Sequence, residues 1–134
     1  MGIGEKAADF HGGGYNCCQC VLKACKDYYP ELDDNMLARI ASGFGGGVCC
    51  GEICGALTGG VMAIGLCSRF NEKDSETVLA SKAKIKEIIG SYNDDFKNHF
   101  GSLLCSELKG GKYSCNELIA YGAEMAEKMI ESNK

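Results

Sequence analysis

Ten of the 134 residues are cysteine, and their positions say more than their number. Cys17 and Cys18 directly follow Asn16, a favourable helix N-cap; Cys54 opens a long apolar run; Cys115 follows Ser114, another cap. Three predicted helix starts therefore carry cysteine. The first turn of a helix presents unpaired N–H groups and about half a positive charge, which favours thiolate over thiol. A lowered thiol pKa is expected at these positions, in the form that binds metal and attacks disulfides. Cys25 and Cys67 lie inside amphipathic stretches and read as small core hydrophobes.

Most familiar thiol motifs fail on spacing. Cys17-Cys18-Gln19-Cys20 contains a CxxC at a helix start, but no strand precedes it as a thioredoxin-type site would require. A second CxxC for a zinc ribbon is missing, as are both ferredoxin spacings. Neither histidine follows a CxxC, which excludes c-type haem attachment; His11 and His99 read as solvated or locally bonded side chains. There is no Ser/His/Asp arrangement, and no phosphate-loop lysine follows Gly45-Gly46-Gly47.

The elements that must position these thiols are helical. Apolar residues recur every three to four positions, and no segment alternates as a strand would. The fold class expected is all-α: one domain over 1–134, a bundle of about five main helices around a buried central one. The first helix is predicted from Asn16 towards Pro30. The second is capped at Asp33 or Asp34, carries Leu37, Ile40 and Phe44, and stops in the glycine run 45–47. The third, Cys54 to about Phe70, is apolar nearly all round and so central. The fourth begins near Asp74 or Ser75 with Gly90 as a possible bend. A short turn from Ser102 to Leu108 bears Cys105, and Ser114 caps the last helix.

Composition limits the setting. Hydrophobic residues make up 46% and charged residues 24%, which excludes a disordered or collagen-like chain. The uncharged run from Ile53 to Ser68 falls short of the ~20 residues a membrane span requires, so no membrane insertion is expected. A net charge of −4 with dispersed lysines gives no footprint for nucleic acid. The first residues lack the basic and apolar regions of a signal peptide, so a reducing cytoplasm is expected, in which surplus cysteines serve metal or redox chemistry rather than structural disulfides.

Taken in order, Gly14-Tyr15-Asn16-Cys17, Ala41-Ser42-Gly43-Phe44-Gly45-Gly46-Gly47, Cys54-Gly55-Ala56-Leu57-Thr58-Gly59, Phe100-Gly101-Ser102-Leu103-Leu104-Cys105 and Cys115 resemble the C_GCAxxG_C_C family of small redox-active proteins. The resemblance spans nearly the whole chain. It implies a redox role and, carried over by motif, a site of four cysteines: Cys17, Cys54, Cys105 and Cys115. An iron–sulfur role has been suspected in related domains. Cys18, Cys20, Cys49 and Cys50 depart from the family's usual pattern and leave a larger or rearranged site open.

Three functions follow as expectations. The first is an iron–sulfur cluster, or another thiolate-bound metal, held by Cys17, Cys54, Cys105 and Cys115, with Cys18, Cys20, Cys49 and Cys50 as possible additional ligands. Zinc is the redox-silent alternative for the same ligands. Gly55 and the glycine run would let backbone N–H groups point at sulfur. The second is thiol–disulfide exchange by Cys54 with Cys49 or Cys50, or by Cys17 with Cys20. The third is a metal-free structural bundle. A redox partner protein is expected, and Gly55 with Gly59 forms a small-residue face that a homodimer could bury.

Overall fold

Asn16 sets the geometry of the site's first helix. Its side chain accepts the Gln19 N–H at 2.8 Å while Gln19 Oε1 accepts the Asn16 N–H at 3.0 Å, a reciprocal capping box. The Asn16 amide also donates to Ala41 O and Ser42 O, tying this start to the end of the following helix. The computed structural model describes residues 1–134 and is all-α. Its α-helices are α1 (Ile3–Gly12), α2 (Cys17–Ala24), α3 (Asp34–Ala41), α4 (Gly55–Leu66), α5 (Ser75–Phe100), α6 (Cys105–Leu108) and α7 (Cys115–Ser132), with one 3₁₀ turn at Lys26–Tyr28.

The five expected main helices are present as α2, α3, α4, α5 and α7. Their caps at Asn16, Asp33, Asp74 and Ser114 are as the sequence indicated. Three boundaries differ. α2 stops at Ala24 and the chain reaches Pro30 through the 3₁₀ turn; α3 ends at Ala41, before Phe44; α4 ends at Leu66 rather than Phe70. α5 runs unbroken through Gly90. An unexpected helix, α1, precedes them all. Its second residue, Gly4, lies where a Cβ would meet the Glu124 side chain and Ala120 O, so α1 lies directly on α7.

α4 is the central helix. Seven of its residues are buried, from Gly55 to Ile64, and α2, α5 and α7 all pack against it. The approach is close enough to exclude side chains. A Cβ at Gly59 would stand 2.6 Å from Cys18 O, and one at Gly122 of α7 would stand 2.8 Å from Ala56 O. Tyr92 of α5 fills the space over Gly60 and donates its hydroxyl to Gly122 O at 2.9 Å, satisfying a buried polar group. The face formed by Gly55 and Gly59 is thus covered by α2 within the chain, and it is not open to a second copy as the sequence reading had it. The buried residues of α5 are Tyr92, Phe96 and Phe100, with Ile85, Ile88 and Ile89 half-buried against the core. No helix is long and apolar enough to cross a membrane.

Candidate thiol site

Between the residues after α3 and the start of α4, the backbone takes an unusual path. Gly46, Gly47, Val48 and Cys49 are successive left-handed residues, with φ of 64°, 66°, 59° and 59°. For the non-glycine pair this costs on the order of 1–2 kcal/mol per residue. Glu52 N–H closes the turn on Gly47 O at 2.9 Å. The segment is then stitched to the one before α6: Cys105 N–H donates to Glu52 O at 2.7 Å and Cys54 N–H to Leu103 O at 2.8 Å. These two bonds hold Cys54 and Cys105 side by side. A Cβ at Gly47 would lie 2.8 Å from Cys105 Cβ, so glycine is required there for space as well as conformation.

Cys17, from the start of α2, and Cys115, from the start of α7, complete the set. All four line one cavity of about 250 Å³. Gly45, Gly46 and Gly55 contribute bare backbone to its wall, and no carboxylate lines it. A Cβ at Gly55 would come to 3.1 Å from Cys17 Cβ, crowding that thiol. No three His, Cys, Asp or Glu side chains are placed to share a single metal ion.

Burial corrects the expected thiol acidity. The Cys17 thiol is pushed up to about 12, first by desolvation and then by the nearby sulfurs of Cys115, Cys54, Cys20 and Cys105. Cys54 is raised as well, mainly by burial, although the Ala56 and Leu57 N–H groups at the start of α4 work the other way. The helix-terminus effect is therefore present at Cys54, and desolvation outweighs it. With no metal bound, both thiols are held towards the protonated form.

The remaining cysteines divide by location. Cys18 and Cys20 are fully buried in the core: Cys18 Sγ contacts Met62 Sδ at 3.7 Å, and Cys20 Sγ donates to Tyr15 O at 3.6 Å. Neither lines the cavity, so their place as additional ligands is not supported. Cys25 is core, as expected, and Cys67 borders a separate apolar cavity between α4, α5 and α7. Cys49 and Cys50 are exposed on the strained turn and stand outside the cavity that Cys54 lines. The structure does not bring the proposed exchange pair of Cys54 with Cys49 or Cys50 to one surface.

Lys109, just after α6, and His11 both escaped the sequence reading. His11, at the end of α1, lines the cavity beside the four cysteines. Its Nδ1 is 2.8 Å from Asn116 Oδ1. The amide oxygen can only accept, so the imidazole donates through Nδ1. The partner is 105 residues away in sequence, which no local pattern reveals; α1, the helix that delivers His11, was itself unexpected. His99, by contrast, stacks on Tyr121 at 4.0 Å among aromatic rings and does not line the thiol cavity.

The fold and cavity define a helical, cysteine-rich protein whose four separated thiols meet in one place. The chain belongs to the family described as "putative redox-active protein (C_GCAxxG_C_C)", whose model matches residues 15–129. No curated protein and no solved structure matches it.

Proposed function

We propose that Cys17, Cys54, Cys105 and Cys115 hold an iron–sulfur cluster that carries electrons or senses redox state. One observation carries the reading: four cysteines from four separate segments line a single cavity. The donor set fits, since four thiolates are the full ligand complement of the common clusters. The wall fits too, because glycines 45, 46 and 55 leave room and expose backbone that can donate to sulfur.

The cluster would supply one-electron chemistry; the residues supply the rest. Burial and mutual proximity hold Cys17 and Cys54 towards the protonated form when no metal is bound, so loading releases protons and is favoured by rising pH. His11, held by Asn116, stands as a neighbour of the site. Such a centre implies a redox partner protein and a reducing compartment.

Anaerobic reconstitution with ferrous iron and sulfide tests the reading. Brown colour, visible charge-transfer absorption and bound iron with acid-labile sulfide are expected for the wild type, and their loss for Cys54→Ser. Unchanged iron and sulfide in Cys54→Ser would overturn the ligand assignment.

A further inference from the structure

Of the ten cysteines, Cys49 and Cys50 alone are exposed. They are neighbours in sequence, and the chain has no cis peptide, so their Cα atoms stand ~3.8 Å apart. Disulfides span Cα separations of roughly 4.4–6.8 Å, and shorter ones are strained and easily reduced. The pair is poorly suited to closing on itself. Its sulfurs also turn to different carbonyls, Cys49 Sγ to Gly43 O at 3.7 Å and Cys50 Sγ to Gly47 O at 3.5 Å.

The backbone beneath them is held rather than loose. Val48 and Cys49 are the only non-glycine residues with positive φ. The turn that forces this conformation is anchored by Glu52 N–H on Gly47 O and by the fit of Gly47 against Cys105. Strain of this kind persists where surrounding structure over-determines it, and it concentrates at working sites. Here it presents two soft donors on consecutive residues to solvent.

We propose that Cys49 and Cys50 form a second thiol site, independent of the cavity, that chelates one thiophilic metalloid of the trivalent arsenic class. Soft thiolates select soft acceptors. Trivalent arsenic bonds sulfur at angles near a right angle, which two sulfurs on adjacent residues can satisfy once the exposed side chains rotate off the Gly43 and Gly47 carbonyls; an ion that prefers linear coordination would require them on opposite sides. With an organoarsenic oxide the step is balanced: two S–H bonds and the arsenic–oxygen bond break, two As–S bonds form, and one water leaves. Arsenic stays trivalent, no electrons move and no oxidant is required.

Reduced full-length protein titrated with phenylarsine oxide, followed by intact mass and residual thiol count, tests this. The wild type should take up one equivalent rapidly, losing two titratable thiols, and should keep it through a monothiol wash but release it to 2,3-dimercaptopropanol. Cys49→Ser and Cys50→Ser should each lose that equivalent; Cys54→Ser should retain it. Both sites are exposed, so unchanged circular dichroism should accompany the losses. Retention in either Cys49→Ser or Cys50→Ser, disappearance in Cys54→Ser, release to the monothiol, or a Cys49–Cys50 disulfide formed in its place overturns the proposal. Failure of the cluster reading leaves this outcome untouched, because Cys54→Ser separates the two.

Discussion

Cys17 illustrates how two opposing effects at one residue are resolved by magnitude. Its position at the start of α2 favours thiolate, while burial and three neighbouring cavity sulfurs favour thiol, and the pKa rises to about 12. Cys25 is also raised to about 12, and Cys18 and Cys20 to about 11, in each case chiefly by desolvation. These shifts make stability depend on pH in one direction. From the ordinary value of 9.0 upward, an unfolded chain gives up thiol protons that the folded chain keeps until about 12. The unfolded state then binds fewer protons, so stability is fully present below about pH 9 and is lost as pH rises through that window. The urea midpoint of the metal-free, reduced protein should fall between pH 8 and pH 10, and Cys25→Ala should flatten the fall. A midpoint that holds or rises would contradict the burial of these thiols.

At the scale of elements, α4 is a helix whose sides are defined by what its glycines admit. Gly59→Ala would drive a Cβ into Cys18 O and the Val21 side chain. The resulting separation of α2 from α4 should cost about 1–3 kcal/mol, the usual penalty for overpacking. Gly90→Ala, in the interior of α5 with open space around it, should instead stabilise by about 0.5–1 kcal/mol, because alanine loses less backbone freedom in a helix. Equilibrium urea denaturation of both variants checks the pair, and equal effects would mean that α2 does not press on α4. The sequence made most of these helices legible through their caps and periodicity. It did not reveal α1, whose Gly4 makes sense only once α7 lies against it. Nor did it reveal that α2 ends six residues before Pro30, since the 3₁₀ turn preserves the apolar spacing that a longer helix would show.

Across the whole molecule, the site is a property of the completed fold. Cys17, Cys54, Cys105 and Cys115 come from the starts of α2 and α7 and from the two stitched segments before α4 and α6. The family pattern allowed these four to be singled out from sequence, and they line one cavity. What sequence could not supply was the fate of the other six, which depends on burial: Cys18 and Cys20 look like ligands beside Cys17 yet point into the core. His11 was hidden for the same reason, its partner Asn116 being brought near only by the packing of α1 on α7. Ligand binding to the native state alone raises the melting temperature by mass action. Cluster-loaded protein should therefore melt higher than the metal-free form, and a chelator under reducing conditions should reverse the difference. Cys105→Ser or Cys115→Ser should abolish the shift and Cys67→Ser should keep it, as scanning calorimetry would show; a shift that survives in Cys115→Ser would remove α7 from the site.

The stitched turn between Gly47 and Glu52 gives the chain a timetable. A ribosome releases Cys17 first and Cys115 last, and Cys54 cannot be aligned until the strand-like pairing of Ile53 with Leu104 draws two distant segments together. Throughout synthesis the early thiols have no cavity to occupy and are open to whatever oxidant or stray metal is at hand. The cavity is therefore complete only after translation, when α7 has docked, and a centre of the proposed kind would load after that step.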